Sequence, residues 1–203
     1  MSTDHRALAG DAALERALTG PADPPLRALP ADAAALLRDL AAPPRLGAHL
    51  RVVHHAAWEV TEALGGGVEP VFDRSAVLFG AATHDIGKVR HPDELLGPGS
   101  RHEEAGHRLL RERGVEERLA RFARTHAAWR TEPVELEDLL VSLADKVWKG
   151  RREADLEEML AARLAECAGG RAWEWFLRLD DAVAPVTATA DARLAYQSGH
   201  AAR

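Results

Sequence analysis

Apolar side chains recur along this chain mostly at three- and four-residue intervals, the spacing of α-helices that turn one face inward. The clearest stripe is Leu50, Val53, Ala57, Val60 and Leu64. Pro43 and Pro44 end a short helix opened by Asp32 and start this longer one, which the glycines at 65–67 stop. Asp73 is placed to cap the next helix, which runs to about Ile86, with Gly87 where a left-handed backbone is favoured. A loop rich in Pro and Gly leads to Ser100, which stands at capping-box spacing from Glu103, and a helix follows until Gly114. The same periodicity predicts helices over about 115–129, 134–149, 153–168 and 171–184. Residues 1–30, with "GPADPPLRALP" among them, read as an arm or linker, and residues 186–203 as a fraying tail. Without any alternating strand pattern, the expected fold is all-α, a bundle of about six to eight helices over 31–185.

Some polar residues fall on the faces that this pattern buries. His49 lies about 50° from the centre of the Leu50–Leu64 stripe, whereas His54 is about 90° away and His55 nearly opposite. His102 aligns with Ala105 and Leu109, and His107 points away to solvent. His126 continues the row Leu119, Phe122, Ala123. Asp145 lies opposite the stripe Leu136, Leu140, Leu143 and Val147, yet Val141 and Trp148 flank it, so its helix is expected to be buried on both faces. A carboxylate there needs a cation or several donors.

Composition narrows the chemistry. Hydrophobic residues at 46% and charged ones at 29% are globular values, and 203 residues suffice for a core without staples. The lone cysteine, Cys167, excludes an internal disulfide or a cysteine zinc site and reads as a packing residue. No apolar run is long enough to span a bilayer, and the first residues lack a signal-peptide core, which points to a cytoplasmic protein with no membrane partner. A net charge of -6 argues against duplex nucleic acid and leaves room for a small anionic substrate in one basic pocket. The chain has only three lysines, and they cluster: Lys88 follows "HDIG", and Lys146 and Lys149 follow Asp145.

His49, His84, Asp85, His102, His126 and Asp145 thus gather four imidazoles and two carboxylates from separate helices. Any one of them could be a hydrogen-bonded core residue, but a mixed N/O metal site explains the set economically. It suits one or two divalent ions of Fe, Mn, Co, Ni or Zn rather than an oxygen-only Mg site. At the end of "AVLFGAATHDIGK", Gly80, Ala81 and Ala82 would let neighbouring helices approach, and the negative end of the helix dipole favours a cation.

The order H…HD…H…H…D resembles the HD superfamily of metal-dependent phosphohydrolases over about residues 45–150. The resemblance implies that His49, His84, Asp85 and Asp145 bind a first metal. It also implies that His102 and His126 match the extra histidines of dinuclear members, such as dinucleoside tetraphosphate hydrolases and cyclic dinucleotide phosphodiesterases. The Gly-Tyr-Pro motif of the latter is absent. The implied activity is hydrolysis of a phosphomonoester, phosphodiester or phosphoanhydride, with nucleotides the preferred substrate class, by metal-activated water. Asp85 and Lys88 would be catalytic, and Lys88, Arg90, Lys146, Lys149 and Arg151 would contact phosphate. Two alternatives stand beside it: a mixed-valent di-iron oxygenase with the same ligand order, and a non-catalytic metal-binding regulatory module. Trp173, Phe176 and Leu177, at helical spacing, read as core or as an oligomer contact such as a homodimer's, rather than a base-stacking platform.

Overall fold

The computed structural model describes residues 2–65, 71–131 and 133–202, with side chains from residue 10 onward. Prolines and glycines set most boundaries. Pro44 starts the central helix α3 (Pro44–Gly65), and its fixed φ is already helical while its missing amide would have had no partner. Before it come α1 (Ser2–Thr19) and α2 (Ala31–Asp39). Asp73 accepts a hydrogen bond from the Ala76 amide and so caps α4 (Arg74–Thr83), as its position predicted. Two 3-10 turns, Ile86–Val89 and Pro92–Leu95, lead to α5 (Arg101–Glu112), and Gly114, at φ +80, ends that segment. Then follow α6 (Glu117–Ala120), α7 (Phe122–Thr125), α8 (Leu136–Val147), α9 (Ala154–Ala168), α10 (Ala172–Ala188) and α11 (Ala190–Ser198). Among the described residues there is no strand, and the all-α expectation holds.

Helices α3 and α4 serve two apolar cores. One joins them to α8, α9 and α10 through residues such as Val53, Val77, Leu143, Leu160 and Val183. The other joins them to α1, α2 and α5 through Leu18, Leu37, Leu50, Phe79 and Leu109. Helix α8 is buried on both faces, as its two apolar stripes require.

Several expectations need correction. The arm is largely helical: α1 packs on α3 through Leu14, Ala17 and Leu18. The tail contains α11, whose Arg193 and Tyr196 reach Glu59 and Arg51 on α3. Between them, these two ends cover the side of α3 that its main apolar stripe leaves open. His54 and His55 are therefore buried rather than directed outward. The helix expected over 115–129 breaks into α6 and α7, and His126 sits at the C-cap of α7. Extra helices at the ends and this break carry the bundle beyond eight helices. Of the expected stop at 65–67, Gly65 ends α3, and the other two glycines lie outside the described residues.

Gly87 does not adopt a left-handed backbone. A Cβ there would lie 2.0 Å from the His102 carbonyl and 2.5 Å from the Gly106 amide, so its role is to let α5 approach. Cys167 is exposed rather than packed, and so are Trp173 and Leu177, which excludes the core reading for those two. No helix among the described residues is long and apolar enough to cross a membrane.

Candidate metal centre

Helix α4 ends one residue before His84, and that termination sets the centre. His84 caps the helix with its amide on the Gly80 carbonyl, and Asp85 follows at φ -99 and ψ 9, so the backbone leaves the helical path. Gly80 permits close packing here, because a Cβ would lie 2.6 Å from the Phe122 ring and 2.9 Å from Val141. Helices α7 and α8 thereby approach α4 closely enough to deliver His126 and Asp145.

All six expected ligands converge, and Asp85 divides them. Its Oδ2 lies 3.0 Å from His49 Nε2 and 3.7 Å from His84 Nε2. Its Oδ1 lies 2.9 Å from His102 Nε2 and 3.7 Å from His126 Nε2. Asp145 Oδ1 closes the first group, 3.7 Å from His84 Nε2 and 4.0 Å from His49 Nε2. Donors about 2.1 Å from a shared ion sit roughly 3 to 4 Å from one another, which these separations match. Two triads, His49–His84–Asp145 and His84–Asp85–His126, each offer donor atoms within 4.8 Å of one another.

Three of the four imidazoles have Nδ1 anchored, which turns Nε2 toward the centre. His84 Nδ1 is held by the Ala81 carbonyl at 3.0 Å, His126 Nδ1 by the Ala123 carbonyl at 3.1 Å, and His102 Nδ1 by the Glu94 carboxylate at 2.7 Å. Each carries its proton on Nδ1 and turns the Nε2 lone pair inward. His102 Nε2 is buried without a hydrogen-bond partner: its 2.9 Å approach to Asp85 lacks the right angle. A buried nitrogen pointed at a carboxylate that it does not hydrogen-bond fits a position meant for a cation between them. The set fits one or two divalent ions.

Electrostatics agree with that fit. Burial would raise the Asp85 carboxyl, but His84, the close approach of His102 and His49, and Lys88 hold it well below the usual carboxylate range. Asp145 is held low in the same sense, against burial, by His84, Lys146 and Lys149. Burial pushes His126 down to about 3 and lowers His49 as well, leaving both neutral and free to coordinate.

The lysines rim the centre. Lys88 Nζ is 2.5 Å from Asp85 Oδ2, Lys146 Nζ 2.8 Å from Asp145 Oδ2, and Lys149 Nζ 3.7 Å from Asp145 Oδ1. The two expected arginines do not join them: exposed Arg90 pairs with Glu112 and exposed Arg151 with Glu153. Both stay outside this rim, each in a surface ion pair.

Two supporting carboxylates escaped the sequence reading. Asp138, on the first turn of α8, accepts from Thr125 Oγ1 at 2.5 Å and from Arg121 Nε at 3.1 Å, fixing the turn that carries His126. Glu94 is the other. Arg101 and His102 direct their amides to it, a capping function that Ser100 does not perform. An acidic residue two positions after Pro92 carried no periodic signal, and only the loop's path draws it inward.

A family model described as HD domain matches residues 32–148. No curated protein and no solved structure matches the chain.

Proposed function

The chain belongs to the HD domain family, and from that premise we propose that it is a metal-dependent phosphohydrolase acting on a small anionic phosphate ester or anhydride, with nucleotides the favoured class. The observation that carries this reading is the lysine rim around a His/Asp centre. Bound divalent ions would supply Lewis-acid activation of water and of the phosphoryl oxygen. His49, His84, Asp85 and Asp145 would hold one ion, and Asp85, His102 and His126 a second. Asp85 offers one oxygen to each group and so keeps the two positions in a fixed relation.

The lysines do the remaining electrostatic work. Lys88, with its side chain 18% exposed, has its ammonium between Asp85 and solvent, where it can neutralise charge developing on the phosphoryl group. Lys146 and Lys149 stand on the Asp145 side, where they would orient the remainder of a polyanion. Three clustered ammonium groups favour an anionic, phosphate-bearing ligand over an uncharged one.

The test is elemental analysis of the purified protein, followed by phosphate-release assays with Mn, Fe, Co and Ni on mononucleotides, dinucleoside polyphosphates and phosphorylated RNA ends. Asp85→Ala should lose metal and at least about 100-fold in activity, since the carboxylate serves both ion positions. Turnover indifferent to that change would reject the centre, and dioxygen consumption without phosphate release would favour the oxygenase.

A further inference from the structure

We propose that Glu94 is the positioning residue that creates the second ion position, by fixing the tautomer and orientation of His102. This inference rests on the reading of the cluster as a metal centre, but not on the reaction assigned to it.

Around Glu94 the loop is mostly open to solvent: Pro92 and Asp93 are exposed, and Leu96 is 72% exposed. Glu94 itself is 4% exposed, and every polar contact of its carboxylate goes to the start of α5. Oε2 takes the His102 amide at 3.1 Å and His102 Nδ1 at 2.7 Å, while Oε1 takes the Arg101 amide at 3.2 Å and Arg101 Nε at 2.9 Å. Gly99 makes this possible, since a Cβ at that position would lie 2.4 Å from the Glu94 carboxyl carbon. The loop thus folds around the carboxylate, which both caps α5 and grips the imidazole.

The grip has a chemical consequence. With Nδ1–H donated to Glu94, His102 must present Nε2 to the centre, and that buried nitrogen has no hydrogen-bond partner. His84 and His126 are instead held by neutral backbone carbonyls. A carboxylate is a stronger acceptor than a carbonyl, so it makes His102 the more basic ligand. Among the described residues His102 belongs to the Oδ1 side of Asp85, so Glu94 tunes one ion position and leaves the other untouched.

Titration of Mn²⁺ into chelator-stripped full-length protein, followed by calorimetry and electron paramagnetic resonance, reads the two positions separately. The wild type should bind two Mn²⁺ per chain and show a spin-coupled pair. Glu94→Ala should weaken the second ion by about 10- to 100-fold and abolish the coupled signal, with the first unchanged. Glu94→Gln, which keeps an acceptor for Nδ1–H without the charge, should lose less. Arg101→Ala, which removes the other side-chain partner of Glu94, should leave both ions in place. In a His102→Ala background, Glu94→Ala should have no further effect on metal binding, which a general loss of α5 stability would not reproduce. The proposal is overturned if Glu94→Ala weakens both ions equally or neither, or if the wild type binds only one. Should Glu94→Ala not fold, Glu94→Gln decides by the same criterion. Two-ion binding without phosphate release would sink the hydrolase reading and leave this one standing.

Discussion

Replacing Gly87 with alanine adds one methyl group where two backbone segments touch, and its effect follows from distances alone. The new Cβ would lie 2.0 Å from the His102 carbonyl oxygen, 2.5 Å from the Gly106 nitrogen and 2.9 Å from the Gly106 Cα. Ordinary contact begins at 3.4 Å, so the start of α5 would have to retreat by about 1.4 Å, and backbone cannot swing aside as a side chain does. Overpacking of this kind costs about 3 kcal/mol. The same retreat carries His102 away from Asp85, and ligand positions tolerate only a few tenths of an ångström, so the second ion should weaken by at least about 10-fold. Urea unfolding measures the first effect and Mn²⁺ titration the second. Gly10→Ala is the control: its Cβ meets nothing within 4 Å inside α1, so it should stabilise by about 0.5 kcal/mol or more. Gly87→Asn separates the two roles of the glycine. A left-handed backbone would tolerate Asn better than Ala, whereas close approach makes the larger Asn worse. Wild-type stability and two-ion binding in Gly87→Ala, or Asn outperforming Ala, would refute the reasoning.

Two further outcomes concern the far side of α3. Burial first, then His55 and the guanidinium groups of Arg27 and Arg51, lowers His54 to about 4, and burial with Arg193, Arg27 and Arg51 lowers His55 to about 4. An unfolded histidine takes its proton near pH 6.5, so stability is full above that pH, falls between about 6.5 and 4, and levels below. The difference in urea stability between wild type and His54→Gln/His55→Gln should therefore shift by about 3 kcal/mol for each histidine across that window, and a constant difference would contradict it. Arg51 donates to the carbonyls of Gly20, Leu26 and Arg27 and to the Tyr196 hydroxyl, tying both chain ends to α3. Arg51→Ala should cost about 3 kcal/mol by urea unfolding and open residues 20–30 to limited proteolysis, and resistance to protease would contradict it.

How far the site could be read from sequence depended on how local the signal was. His49, His102, His126 and Asp145 each break an apolar face on their own helix, so one register exposes each of them, and His84–Asp85 falls where small residues permit close packing. The same holds for Asp73 as a cap and for the double burial of α8. What escaped is set by distant segments meeting. Nothing near His55 announces that α11 will bring Arg193 and Tyr196 across it. Ser100 and Glu103 have the right spacing for a capping box, yet the Ser100 side chain makes no cap bond, and Glu94 from the preceding turn caps the helix through the Arg101 and His102 amides instead. Gly87 after a helix suggested a left-handed terminus, but α5 passes so near that a side chain of any kind is excluded. Arg90 and Arg151 have the charge expected of phosphate ligands, and the fold sets them in surface pairs with Glu112 and Glu153 outside the lysine rim.

These misses share a cause that bears on the centre itself. The Oδ2 side of Asp85 is built from α3, α4 and α8, whose apolar stripes interlock in one core, and its ligands were legible because those stripes were. The Oδ1 side hangs on α5 and α7, which share apolar cores with α4 through Leu109, Leu110 and Phe122 but whose ligands also depend on a glycine contact, on Asp138 and on Glu94. A ligand set that depends on a few polar anchors can be lost through single substitutions that leave the core intact. One ion position should therefore survive changes that erase the other, and the two differ in robustness because one relies on polar anchors, Asp138 and Glu94, in addition to core packing.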